Sequence, residues 1–270
     1  MTLPLRNSRI KLSHGLLFWH EMGQGDAIVF LHGSWANGSQ WLPVMEHLGT
    51  KFHCFAPDLL GFSESDRPKI QYSIDLEVEC LAEYLQLLRI RRVYLVGHSL
   101  GGWIAASYAL KYGDQVRGIV LLAPEGVQMR ERKHRWLGAR LLLLPGAGWI
   151  LRSLQSIQTL LRIKSSDQRL RRRRQRLQSP IACKLLFQRR WADVKAEFLQ
   201  EQLGWLKVPT LVLQGEQDNS EATFLSQAYV HLAPQVELKW IPQAGTNLLQ
   251  THSDVVAEQI REFFNHIANE

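Results

Sequence analysis

Short apolar runs separated by polar, glycine-bearing breaks set the rhythm of this chain. Ala27-Ile28-Val29-Phe30-Leu31 is apolar throughout, the pattern of a strand buried on both faces of a parallel sheet. Comparable runs recur at Phe52–Ala56, Val93–Val96, Gly118–Leu122, Thr210–Gln214 and Val236–Ile241. Residues 8–20 alternate polar and apolar instead, which predicts an opening hairpin turned at His14-Gly15. Helix-length stretches fall between the runs: a segment ending near Leu48, residues 73–90, Trp103 to Tyr112, a segment from about Glu221, and an amphipathic stretch over Val255 to Ile267. Strands alternating with helices predict an α/β fold with a mostly parallel, doubly wound sheet, its site built from loops at the strand C-termini. No internal repeat is visible. No strand leads into G-x-G-x-x-G and no G-x-x-x-x-G-K-[ST] occurs, so neither a dinucleotide site nor a P-loop is expected.

One segment departs from this alternation. Residues 125–206 hold 18 Lys or Arg against 6 Asp or Glu, while the rest of the 270-residue chain holds 14 against 19. The chain therefore reads as an acidic body, residues 1–124 and 207–270, carrying a basic insert at 125–206. The insert includes Arg140-Leu-Leu-Leu-Leu-Pro-Gly-Ala-Gly-Trp-Ile-Leu-Arg152, then Leu154, Ile157, Leu160 and Leu161 at helical spacing, then a basic run from Arg169 to Arg176 with Arg171 to Arg174 unbroken. Two readings stay open. The insert is a helical cap whose apolar faces pack over the site while its charges are solvated, or residues 130–190 meet an anionic membrane surface, as basic amphipathic helices with Trp and Leu do. Nucleic acid is not expected, because no recognition fold accompanies the arginines. Cys54, Cys80 and Cys183 are an odd number without C-x-x-C spacing, a reducing-compartment pattern that implies no metal site and no cofactor. The N-terminus has no signal-peptide pattern, and the longest near-apolar run, Leu141 to Leu151, is half a membrane span. A cytoplasmic protein is expected, soluble or peripherally attached to a membrane.

Candidate chemistry concentrates where the third parallel run ends. Gly97-His98-Ser99-Leu100-Gly101 is G-x-S-x-G after a strand and before a helix. Side chains two residues either side of the serine would collide with neighbouring backbone in so sharp a turn, hence the glycines. The turn lifts Ser99 to the sheet edge as a nucleophile. The Leu100 N–H, at the start of the next helix, becomes a donor to a developing oxyanion.

With these motifs together the chain resembles an α/β-hydrolase of the large esterase, lipase and C–C hydrolase superfamily, over nearly all its length apart from the insert. Gly97 to Gly102 matches the G-H-S-x-G-G nucleophile turn. His32-Gly33 with Trp41 nine residues past the histidine resembles the oxyanion loop, and the resemblance makes the Ser34 N–H the second oxyanion donor. Asp58 to Ser65 is similar to D-x-x-G-x-G-x-S, with Ser63 where glycine is usual. Gly215-Glu216-Gln217-Asp218 is similar to the G-x-x-D that carries the family's acid, so the resemblance assigns Asp218 that role; as a turn residue it also suits simple turn closure. The match breaks at the general base. Where the family has Gly-His after the last strand, this chain reads Ala244-Gly245-Thr246-Asn247. A threonine hydroxyl cannot accept the Ser99 proton as imidazole does. His252 is the candidate substitute, six residues on. His98, beside the nucleophile, reads as a packed structural histidine, and His32 as a brace of the oxyanion loop.

Two functions follow. One is a serine-hydrolase-type enzyme acting on an ester or related acyl bond of an apolar substrate, weakened by the missing histidine. The other is a catalytically degenerate member of the same fold that binds a ligand or a membrane.

Overall fold

Strands that are apolar along their whole length need cover on both faces. In the computed structural model of the chain, which describes residues 3–128, 180–186 and 188–269, such strands take the middle of the sheet. The strands are β1 (Arg6–Leu12), β2 (Gly15–Gly23), β3 (Asp26–Leu31), β4 (Phe52–Pro57), β5 (Val93–His98), β6 (Val116–Leu122), β7 (Thr210–Gly215) and β8 (Val236–Ile241). Their spatial order is β1-β2-β4-β3-β5-β6-β7-β8. β1 and β2 form the antiparallel hairpin, closing with Leu12 opposite Gly15, and β2 also runs antiparallel to β4. Every other pairing is parallel. Ile28, Val29, Phe30 and Leu31 of β3 and Leu211, Val212 and Leu213 of β7 are fully buried. β1, at one edge, alternates exposed and covered positions instead, and β8, at the other, is only partly covered up to Ile241.

Helices cover both faces. α1 (Leu42–Leu48), with Pro43 in its first turn, packs against α8 (Ser253–Asn269). α8 buries Val256, Ala257, Ile260 and Phe264 on one stripe, and the Phe264 ring stacks on Tyr94 of β5 at 4.1 Å. Burying that phenylalanine stabilises the fold by about 1.5–3 kcal/mol. α2 (Ile74–Leu87) starts at Ser73, whose Oγ accepts the Leu76 N–H at 3.0 Å. α3 (Leu100–Lys111) lies between the sheet and α2 and is buried almost all round, which explains its lack of a polar face. It begins at Leu100, earlier than the sequence pattern suggested, because Gly101 and Gly102 are helical here to let the helix approach the sheet closely. α6 (Ser220–Leu232) follows β7, and a short helix α7 (Leu248–Thr251), not anticipated from the sequence, leads into α8.

The chain divides into two compact units, residues 1–127 with 197–270, and residues 128–196. Within the second, α4 (Pro180–Leu186) and α5 (Trp191–Ala196) bury Ile181, Leu185, Leu186 and Val194, and Arg190 pairs with Asp193 at 3.0 Å. The stretches Arg140–Arg152 and Arg169–Arg176, on which the cap and membrane readings of the insert rest, lie outside the described residues. Among the described residues no helix is long and apolar enough to cross a membrane.

Candidate active site

Parallel strands deliver their C-terminal loops to one edge of the sheet, and six of those loops carry the residues of interest. Ser99 follows β5 with φ 52 and ψ −111 and opens directly into α3. This backbone conformation costs a non-glycine residue about 1–3 kcal/mol and persists only where its surroundings fix it. Here the Ser99 N–H donates to the Leu122 carbonyl on β6 at 2.9 Å, and the Trp103 N–H donates to the Ser99 carbonyl at 3.2 Å. A Cβ on Gly97 would run into the Gly101 carbonyl, and one on Gly101 into the Leu31 carbonyl of β3, so both flanking glycines are sterically required.

The loop after β3 is built around His32. The Leu59 N–H donates to His32 Nε2 at 3.0 Å, which leaves the ring proton on Nδ1, and Nδ1 donates to the Gly33 carbonyl at 2.8 Å. Burial lowers the pKa of this histidine, while the Gly33 carbonyl and the Asp58 carboxylate pull it up. A neutral imidazole with both nitrogens occupied braces the loop and has no nitrogen left to serve as a base. Asp58, after β4, holds the same loop from outside: its Oδ1 accepts the Gly38 N–H at 2.7 Å and its Oδ2 the Glu64 N–H at 2.9 Å. Ser34 is buried, with its Oγ lacking a hydrogen-bond partner among the described residues, and Trp35 beside it is 40% exposed.

His98 packs against this loop. It is half-buried as a residue, but its Nδ1 is enclosed without a partner among the described residues. Burial pushes its pKa down to about 4, against the pull of the Asp218 carboxylate, and His32 lowers it further. The ring is therefore neutral at ordinary pH.

Asp218 and Thr246 sit at the ends of β7 and β8, on loops joined backbone to backbone. The Gln217 N–H donates to the Ala244 carbonyl at 2.8 Å and the Glu216 N–H to the Ile241 carbonyl at 3.1 Å. Asp218 is half-buried; its Oδ1 accepts from the Asn219 backbone N–H at 2.6 Å and side-chain amide at 2.8 Å, and its Oδ2 from Gln214 Nε2 at 3.3 Å. The aspartate thus closes its own turn. Thr246 is exposed. His252 Nδ1 lies 2.8 Å from Thr251 Oγ1, at the junction of α7 and α8, and no hydrogen bond joins it to Ser99 among the described residues.

The partner of the serine is a residue the sequence reading had placed in the insert. Ser99 Oγ donates to Glu125 Oε1 at 2.9 Å, and the Glu125 N–H donates to the Ser99 carbonyl at 3.1 Å. Glu125 lies three residues beyond the end of β6, at the same sheet edge, and that position is the signal that could have found it. Ala123, between them, has φ 44, a second left-handed residue beside the first. The Tyr229 hydroxyl of α6 donates to the Glu125 carbonyl at 2.6 Å. The returning chain fixes the next residue, with the Leu199 N–H donating to the Gly126 carbonyl at 2.8 Å.

Parts of the chain are similar to known proteins. Over 133 residues the chain is 36% identical to a 1-acylglycerol-3-phosphate O-acyltransferase of Rattus norvegicus, covering 47% of this chain and 37% of that one. Over 115 residues it is 37% identical to a 2-hydroxy-6-oxo-2,4-heptadienoate hydrolase of Pseudomonas putida, covering 40% of this chain and 41% of that one. These matches span only about two fifths of the relatives' own lengths. A thermophilic esterase from Thermogutta terrifontis superposes with a TM-score of 0.74 at 22% identity, covering 97% of this chain and 99% of that one, a likeness of fold. The alpha/beta hydrolase fold family model matches residues 26–252, and the chain belongs to that family.

Proposed function

We propose that the protein is a serine-hydrolase-type enzyme that cleaves an ester or related acyl bond of an apolar substrate, with Ser99 as nucleophile. The observation that carries this reading is the backbone of Ser99, held left-handed at the junction of β5 and α3 by hydrogen bonds to β6 and α3. Strain of this kind, at a sheet edge and at a helix N-terminus, presents a hydroxyl for attack and the Leu100 N–H for the oxyanion. The Ser34 N–H supplies the second donor, and Asp218 is the orienting acid. Trp35, a large ring open to solvent next to Ser34, supports an apolar substrate. The names of the matched hydrolase and esterase support the reaction class without giving the substrate.

Thr246 favours a second reading, a ligand-binding protein that has lost turnover, because the family's base position holds an exposed hydroxyl. Labelling with a fluorophosphonate probe, beside a panel of p-nitrophenyl esters, separates the two. Labelling and turnover that vanish in Ser99→Ala support the enzyme; hydrolysis that survives the substitution unchanged comes from elsewhere and removes it. For the insert, its excess of 18 basic over 6 acidic residues supports docking on an anionic membrane surface.

A further inference from the structure

The geometry points to Glu125 as the general base of this site, taking the Ser99 proton directly in place of the histidine that the Thr246 position lacks. This rests on the reading of Ser99 as the nucleophile. Three observations support it independently. First, Glu125 Oε1 is 2.9 Å from Ser99 Oγ, and Ser99 Oγ is the donor, so the proton already points at the carboxylate. Second, the contact is fixed from several sides: the Glu125 N–H on the Ser99 carbonyl, the Tyr229 hydroxyl on the Glu125 carbonyl, and Leu199 on Gly126. Gly126, at φ +105, lies so close to Trp103 that a Cβ there would stand 2.6 Å from the indole, and that indole stacks on Phe198. Third, Ala123 accepts a left-handed φ of 44 immediately before Pro124-Glu125, backbone strain of the kind that collects at functional sites. His32 has both nitrogens engaged, and the Nδ1 of His252 bonds Thr251 Oγ1.

The step balances as follows. Ser99 Oγ forms a bond to the acyl carbon while its proton passes to Glu125 Oε1. The carbonyl π electrons move to the oxygen, which becomes an oxyanion between the Ser34 and Leu100 N–H groups. Collapse breaks the bond to the alkoxy leaving group, and that oxygen takes the proton from Glu125. Water then attacks the acyl-serine, giving its proton to Glu125, and the second collapse returns that proton to Ser99 Oγ with release of the acid.

A carboxylate base titrates in a lower range than an imidazole, so the pH profile tests the assignment. Among the described residues, the Ser99 hydroxyl meets the Glu125 carboxylate and the Tyr229 hydroxyl of α6 donates to its backbone carbonyl; the pKa values of His98, at the end of β5, and His32, on the loop after β3, are both lowered by burial. The experiment measures the rate of Ser99 labelling by a fluorophosphonate from pH 4 to 9 for the full-length wild type, Glu125→Gln and Glu125→Asp, with thermal melts of each. The expected result is an acid limb below the imidazole range in the wild type. In Glu125→Gln the rate falls about 100-fold and the limb disappears, and Glu125→Asp recovers part of the loss. An acid limb centred between pH 6 and 7, or labelling of folded Glu125→Gln within twofold of wild type, overturns Glu125 as base while leaving Ser99 as nucleophile. If Glu125→Gln does not fold, the wild-type limb and the Asp variant decide. A wild type that neither labels nor cleaves p-nitrophenyl butyrate overturns the hydrolase reading and this assignment together.

Discussion

A Cβ placed on Gly33 would stand 2.9 Å from His98 Nδ1 and 3.4 Å from Ser99 Cβ, so the oxyanion loop and the nucleophile turn touch through a glycine. The obstacle is an enclosed ring and not the loose end of a flexible chain. Gly33→Ala must therefore move the loop, and with it the Ser34 N–H. Overpacking of this kind costs about 1–3 kcal/mol of stability, and loss of one oxyanion donor costs about 100- to 1,000-fold in kcat. Ester kinetics should show the fall in kcat with a smaller change in KM, beside a Tm lower by several degrees. Unchanged kcat in a folded variant would remove Ser34 from the oxyanion hole.

The fold and the turn that carries Ser99 were legible in the sequence because their signals are steric and local. Gly97, Ser99 and Gly101 are spaced as the turn demands, and continuous apolar runs such as Ala27–Leu31 identify strands buried on both faces. Glu125 was not legible. Its position follows from the backbone at Ala123 and from clamps by Tyr229, about a hundred residues on, and Leu199, about seventy-five residues on, and hydropathy carries no trace of them. The short helix α7 was equally hidden, since its four residues are too few to establish a period.

A second prediction concerns Glu77, buried on α2. Its Oε2 accepts the Leu60 N–H at 3.3 Å and its Oε1 has no hydrogen-bond partner among the described residues. Burial raises its pKa from 4.5 to about 8, with the Leu60 N–H pulling the other way. Below pH 4.5 the group is protonated in folded and unfolded chains alike. Between about pH 4.5 and 8 the unfolded chain loses this proton while the folded one keeps it, so stability declines as pH rises through that window and levels off above it. Glu77→Gln removes the decline. Denaturant titrations should find the variant close to wild type at pH 5 and about 1–3 kcal/mol more stable at pH 8. A difference that does not grow with pH would show that Glu77 ionises freely in the fold.

The insert yields a third. Each basic residue near an anionic bilayer contributes about 1 kcal/mol, and the interaction fades over a Debye length of about 8 Å at physiological salt. Sedimentation should therefore bring the protein down with phosphatidylserine-containing vesicles and not with neutral ones, less so as salt is raised. Replacing Arg171 to Arg174 by Gln should weaken binding at least tenfold with Tm unchanged. Equal partitioning to neutral and anionic vesicles would overturn the membrane assignment.

The last prediction returns the missing imidazole. The loops that carry Asp218 and Thr246 are tied by the Gln217–Ala244 hydrogen bond of 2.8 Å, so a histidine at 246 enters a loop already joined to that of Asp218. In a triad the members act as a unit, and loss of the histidine from subtilisin lowers turnover about 10⁶-fold. Applied to a typical rate of roughly 10 s⁻¹, that sets a floor of about one turnover per day. A carboxylate base at 125 lifts the wild type above that floor but below an imidazole enzyme. Thr246→His should then raise p-nitrophenyl ester hydrolysis about 100-fold or more, provided nucleophile, acid and oxyanion hole are sound. The same variant also tests Glu125. If two bases compete for one proton, Glu125→Gln must cost much less in the Thr246→His background than in the wild type, a coupling that a double-mutant cycle measures directly. Equal losses in both backgrounds would mean that Glu125 supports the turn and not the proton transfer. No gain from a folded Thr246→His would mean that the site has lost more than its base, and would favour the binding protein.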